Sequence, residues 1–445
     1  MSQTQTTPDI RANAVAERKA LRRRMYGQLV RSLVAVIVGT LVLRLAAQTM
    51  GQMLQFYLDD IDRSYFPISH TERGFILASF FATEMGGALV LGALSDRYGR
   101  RVFILLGPIL GAIAVQITSM TVLIWILVIT RLLEGLSTGS SVPATLGYIS
   151  DVTSGRPKLR ARVVGLFEVT LVGGMALGYI AGGYLWAHFG QPANFLGLRL
   201  YSPAFALNGL IYLASLAVFV WGLRDFKRRQ GAARNNGGHG GFSQYREILR
   251  SPRVWRFIPA WLAVFAIIGM WSNHGMGLLK GEGVATEKIG NVSAILTVLF
   301  AGGVLVWSFN LARYRKTSVM LVAMGGLFVA LAAGYGLNHP SPVADALFYP
   351  LVGALLIGLF VLSGFTPAAL TYLADVTEAY AGARGSIMGL YSVFLGVGQV
   401  IGITTGGFFA TWAGIDGLLL LSAIFGVLTA FTLAPLRRQE VTAEV

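Results

Sequence analysis

Five ionisable side chains sit inside long apolar runs in the first half of the chain: Arg44, Glu84, Arg131, Glu134 and Glu168. A charge inside a membrane helix is costly and is usually functional. Arg44 falls near the middle of its run and Glu84 near the middle of the next, so the two share a depth. Arg131 and Glu134 are three residues apart and share one helical face. Two arginines and two glutamates at one level admit two readings. They can neutralise one another as a buried structural network. Alternatively, one carboxyl loses its arginine when helices rearrange, takes up a proton, and releases it when the pair re-forms. Glu84 and Glu134 are the candidates for that exchange. Glu168 lies within about two turns of the end of its run, within reach of water.

Apart from Asp416 at the start of the last, the apolar runs of the second half carry no Asp, Glu, Lys or Arg. His274 is a candidate substrate contact there, or an ordinary hydrogen-bonded histidine. The tryptophans and tyrosines of this half read as packing or interfacial anchors. A cavity with one charged wall and one apolar wall suits an amphipathic small molecule.

A second concentration of charge is GALSDRYGRR, Gly92 to Arg101, between two charge-poor runs. Its residues of interest are Gly92, Asp96, Arg97, Gly99, Arg100 and Arg101. A carboxylate such as Asp96 can cap a helix N-terminus. Arg100 can pair with Asp151, at the end of the fourth run, and an internal repeat makes Asp375 the counterpart of Asp151.

The elements that must position these groups are membrane helices. The 445 residues are 54% hydrophobic and 13% charged, with mean hydropathy +0.63, outside the range of soluble domains. Runs long enough to cross a bilayer occur near 32–58, 74–94, 102–120, 123–149, 163–187 and 203–223, then near 257–279, 289–311, 317–337, 346–373, 385–411 and 415–435. The expected organisation is a cytoplasmic tail over 1–31, six helices over 32–223, a cytoplasmic linker over 224–256, six helices over 257–435 and a second tail over 436–445. With tails and linker in the cytoplasm, 29 of the 36 Lys and Arg residues face inside, five face outside and two lie in the membrane. That asymmetry follows the positive-inside rule and accounts for the net charge of +15 without nucleic acid.

The halves repeat one another. PATLGYISDVT, Pro143 to Thr153, matches PAALTYLADVT, Pro367 to Thr377, at seven of eleven positions. The offset of 224 residues then pairs Gly174 with Gly398, Gly178 with Gly402, Gly182 with Gly406 and Gly183 with Gly407. Parallel repeats of six helices imply two bundles around an axis normal to the membrane, with the substrate site between them.

GALSDRYGRR resembles the loop motif G-x-x-x-D-R-x-G-R-R/K of the major facilitator superfamily, and RLLEGLSTG, Arg131 to Gly139, resembles its R-x-x-x-G element. The resemblance implies an all-α membrane fold of twelve helices in two pseudo-symmetric bundles. It also implies that the loop cluster, with Asp151 and Asp375, latches the bundles together on the cytoplasmic side. The second half keeps only LARYRKT in the matching place. In the fifth run Tyr179 stands where drug and proton antiporters of the superfamily carry a proline.

The resulting expectation is a secondary active transporter in the bacterial inner membrane, a multi-pass monomer with both termini cytoplasmic. It exports an amphipathic compound against protons and needs no cofactor or metal. An organic-anion transporter using Arg44 and Arg131 and a lipid or lysolipid flippase are the alternatives. Without cysteine, a phosphate-binding loop or a nucleophile elbow, the chain does not read as an enzyme.

Overall fold

The computed structural model describes residues 7–153, 156–195, 197–223, 252–339, 341–342, 346–377 and 384–442. In the first half, helices α1 (Thr7–Ser64), α2 (His70–Tyr98), α3 (Arg100–Ser119), α4 (Ile124–Val152), α5 (Pro157–Phe189) and α6 (Pro203–Gly222) run back and forth. The second half comprises α7 (Pro252–Met270), a π-helical turn (Trp271–Gly275), α8 (Met276–Gly281), α9 (Thr286–Asn310), α10 (Lys316–Asn338), α11 (Phe348–Leu362), α12 (Phe365–Thr377) and α13 (Arg384–Thr442). Two large apolar cores form, one mainly in the first half around Met53, Phe56, Phe167 and Phe205 but taking in Met276, Ile289 and Ile403 of the second, the other around Phe257, Trp261, Met324 and Phe365.

Among the described residues ten segments are long and apolar enough to cross a membrane. The last of them, Val393–Arg438, breaks its helical backbone at Ala413 and Gly414, between the final two predicted runs. Helix α4 holds the fourth predicted run and, with Arg131 and Glu134 in its interior, is not among the ten.

Several boundaries differ from expectation. Residues 7–31 of the predicted tail are helical and continuous with the first membrane helix. The second half starts at Pro252, inside the predicted linker, and the rest of that linker lies outside the described residues. Helix α13 carries the predicted second tail in helical form to Thr442, and residues 443–445 lie outside the described set. A short antiparallel hairpin, β1 (Ala193–Phe195) with β2 (Leu198–Leu200), fills the connection from α5 to α6, where no strand was expected.

The repeated glycines explain how the helices pack. A Cβ at Gly178 would lie 2.7 Å from the Leu45 carbonyl oxygen, and one at Gly174 would lie 2.8 Å from that of Leu41, so α5 rests backbone to backbone on α1. Their counterparts Gly398 and Gly402 hold α13 against Leu262 and Ala266 of α7 in the same way. The last glycine of each series, Gly183 or Gly407, faces the other half. A Cβ at Gly183 would be 2.5 Å from the Thr286 carbonyl oxygen of α9, and one at Gly407 would be 2.5 Å from that of His70 of α2. The pseudo-two-fold relation is thus expressed in packing, with small residues admitting a neighbouring backbone.

Among the described residues, polar contacts between the halves occur at the face away from the chain termini, called here the far face. Gln55 donates to the Ser272 carbonyl oxygen at 3.1 Å, and the Thr71 and Thr411 hydroxyls lie 3.4 Å apart. Lys280 of α8 reaches α1, donating to the Phe56 carbonyl oxygen at 2.8 Å. The halves are closed together at that face.

Candidate functional site

The predicted central charges come together inside the first half. Helices α2 and α4 cross in direct backbone contact, since a Cβ at Gly139 would lie 2.7 Å from the Glu84 carbonyl oxygen and Thr83 donates to the Leu132 carbonyl oxygen at 2.9 Å. That crossing brings Glu84 to the level of Arg131 and Glu134. Arg131 and Glu134 are 4% and 3% exposed and form an ion pair along one face of α4. The Arg131 guanidinium also lies 4.6 Å from the centre of the Phe80 ring. Arg131 Nε and Glu134 Oε1 have no hydrogen-bond partner among the described residues. This pair is therefore incompletely satisfied, the condition under which a buried ion pair contributes little net stability.

Arg44, half-buried on α1, acts electrostatically on both Glu84 and Glu168. Glu84 is half-buried and also feels Arg131, whereas Glu168 is exposed and joins the group only through Arg44. His274 stands apart in the π-helical turn, buried, with Nε2 2.8 Å from the Ile403 carbonyl oxygen. Its partner is a backbone group of its own half, joining the π-helical turn to α13.

Tyr212 of α6 was not singled out from the sequence. It is 1% exposed, its ring occupies the space a Cβ at Gly111 would need, and it feels Glu134, Arg131 and Arg44. A lone tyrosine in an apolar helix reads as packing, so only its proximity to the charges reveals it.

The motif from Gly92 to Arg101 is almost entirely helical. Helix α2 continues to Tyr98 and α3 begins at Arg100, leaving Gly99, with φ 100°, as the only residue between them. That dihedral demands glycine. Asp96 falls in the last turn of α2, and the N-cap of α3 is Gly99. Arg100 Nε donates to Asp151 Oδ2 at 2.6 Å, and its guanidinium lies where a Cβ at Gly147 would be. Gly92 packs on Pro143, Arg97 is exposed and Arg101 is half-buried. Asp375 lies on α12; its side chain and that of Asp96 lie outside the described residues.

At the far face a third group forms that the sequence offered only as markers of sidedness. Arg73 pairs with Asp62 at 2.8 Å and with Asp59 at 3.6 Å, and Lys280 pairs with Asp60 and, at 3.5 Å, with Asp59. Among the described residues no three His, Asp or Glu side chains are grouped to hold a metal ion.

Comparison with known proteins fits this arrangement. The profile of the Major Facilitator Superfamily matches residues 29–352 and 276–444. The chain is 25% identical to multidrug resistance protein 1 of Bacillus subtilis (strain 168) over 358 residues, 76% of this chain and 81% of that protein. It is 37% identical to the class C tetracycline resistance protein of Escherichia coli over 180 residues, 39% of this chain and 41% of that protein. Among solved structures, a bacterial homolog of the human lysosomal transporter Spinster, inward-facing and unoccupied, superposes with a TM-score of 0.70 at 16% identity, covering 92% of this chain and 96% of that one.

Proposed function

From the premise that this chain belongs to the major facilitator superfamily, and so is a multi-pass membrane transporter and not an enzyme, we propose that it exports a small amphipathic compound in exchange for protons. The observation that carries this reading is the Arg131–Glu134 pair, buried in α4 with one carboxylate oxygen lacking a hydrogen-bond partner among the described residues and Glu84 on the facing helix. If α2 and α4 shift so that Arg131 leaves Glu134, the carboxyl must bind a proton or stand as an unpaired buried charge. Protonation is thereby tied to which face is open. Arg44 and Glu84 form the neighbouring half of the relay, Glu168 is its water-side member, and the apolar second half supplies the wall for a lipophilic cargo. Two relatives named for drug resistance support an efflux role. An organic-anion substrate is disfavoured because the Arg131 guanidinium is already engaged by Glu134.

In this reading the termini face the cytoplasm of a bacterial cell, and the protein works as a monomer. The Gly92–Arg101 motif, with Arg100 held on Asp151, is the latch that engages Asp96 and Asp375 when the terminal face closes.

Reconstituted protein tests the proposal. Proteoliposomes holding the wild type should accumulate tetraphenylphosphonium against its gradient when a pH gradient is imposed. E134Q and E84Q should lose that accumulation at least about tenfold, roughly 1.4 kcal/mol of driving force, while retaining downhill movement. Undiminished uphill transport by both variants would refute the coupling, and movement of lysolipid without any gradient would favour the flippase.

A further inference from the structure

The far-face cluster has an uneven construction. Asp59, Asp60 and Phe56 belong to α1 and Trp186 to α5, all in the first half, while the cation seated among them is Lys280 of α8, in the second. Lys280 Nζ is 5.3 Å from the centre of the Trp186 ring and 5.9 Å from that of Phe56, and it donates to the Phe56 carbonyl oxygen at 2.8 Å. Carboxylates, aromatic faces and an inward carbonyl together make an ammonium receptor. Asp59 is 5% exposed, and its Oδ2 lies 3.4 Å from the Arg63 guanidinium and 3.5 Å from Lys280 Nζ with no hydrogen-bond partner among the described residues.

The charge balance depends on Lys280. Asp59, Asp60 and Asp62 face Arg63, Arg73 and Lys280, three charges of each sign. Every one of these except Lys280 is carried by α1 or α2 of the first half. When the halves part at the far face, Lys280 leaves with its own half. The niche is then left one negative charge in excess, because Asp59 keeps Arg63 and Arg73 while Asp60 loses Lys280, and a single monovalent cation restores neutrality.

We propose that the niche of Phe56, Asp59, Asp60 and Trp186 is a binding site for organic ammonium ions, filled by the Lys280 side chain while the far face is closed and open to cationic cargo when it parts. Cargo on its way out pauses there, and the returning Lys280 displaces it, so far-face closure and cargo release become one event. The proposal rests on the export reading for the identity of the occupant, but the binding itself requires no proton coupling.

The test uses n-butylammonium chloride as probe, with equal NaCl as the ionic-strength control, on the full-length protein in detergent. K280A leaves the niche empty and should show a saturable rise in melting temperature with n-butylammonium, about 2 °C or more beyond NaCl. K280A/D60N should lose most of that rise. Equal shifts with both salts, or a shift that survives in K280A/D60N, overturns the proposal. Should K280A fail to fold, the same question is put to a chain with one cysteine, T71C, at the contact of Thr71 with Thr411. Here n-butylammonium should speed thiol labelling by competing with Lys280, and T71C/D60N should show no acceleration; unchanged labelling of T71C overturns the proposal. E134Q should leave both readouts intact, so failure of the niche and failure of proton coupling are separately visible.

Discussion

At the residue scale the account turns on whether the Arg131–Glu134 pair acts in coupling or only in packing. R131Q should destabilise the protein by about 3–5 kcal/mol, because it leaves the Glu134 carboxylate unpaired in a buried site. R131M/E134L removes both charges at similar volume and should restore the melting temperature to near that of the wild type. Proton-driven transport should remain lost in this double variant. Recovery of transport together with stability would show that the pair is a structural network. The sequence exposed these residues because an ionisable group in an apolar run is conspicuous. Tyr212 escaped it because a buried tyrosine looks like any other core aromatic until its neighbours are known. Lys280 escaped it for the opposite reason, since a lysine at a helix end is what membrane topology already demands.

At the element scale the glycine columns make two distinguishable predictions. G178L and G402L should each lower the melting temperature, since either side chain must push apart backbones already in contact, α5 from α1 or α13 from α7. G183V and G407V act on contacts between halves instead. They should raise thiol labelling of T71C, reporting a far face that no longer closes, with smaller loss of stability. Gly99→Ala should cost about 1–3 kcal/mol through its positive φ alone, as nothing crowds the position. The periodicity of the glycines and their 224-residue offset were legible in the sequence, and the backbone contacts they permit follow directly. The hairpin after α5 and the π-helical turn at Trp271 were not, because each depends on what tertiary neighbours lie around a short segment of ambiguous propensity.

At the scale of the whole molecule, two sets of charges lie at opposite faces. The far-face set joins the halves through Lys280, and at the other face Arg100 pairs with Asp151. Weakening the far-face set by D60N should shift T71C towards faster labelling. If the Gly92–Arg101 motif is the latch proposed above, disrupting the other set by R100A should shift T71C towards slower labelling, as the far-face-closed state gains population. The fold class and the two-half plan could be read from composition and repeat. The far-face closure could not, since it is a relation between Asp60 and Lys280, 220 residues apart and with no spacing signal to join them.

On the export reading, cargo and proton compete through Glu134. That competition is tested most directly by adding tetraphenylphosphonium to lightly buffered, detergent-solubilised protein and measuring the protons released. The account predicts release from the wild type and little or none from E134Q, although E134Q still binds the cation. Binding without proton release in the wild type, or equal release from both proteins, would contradict it.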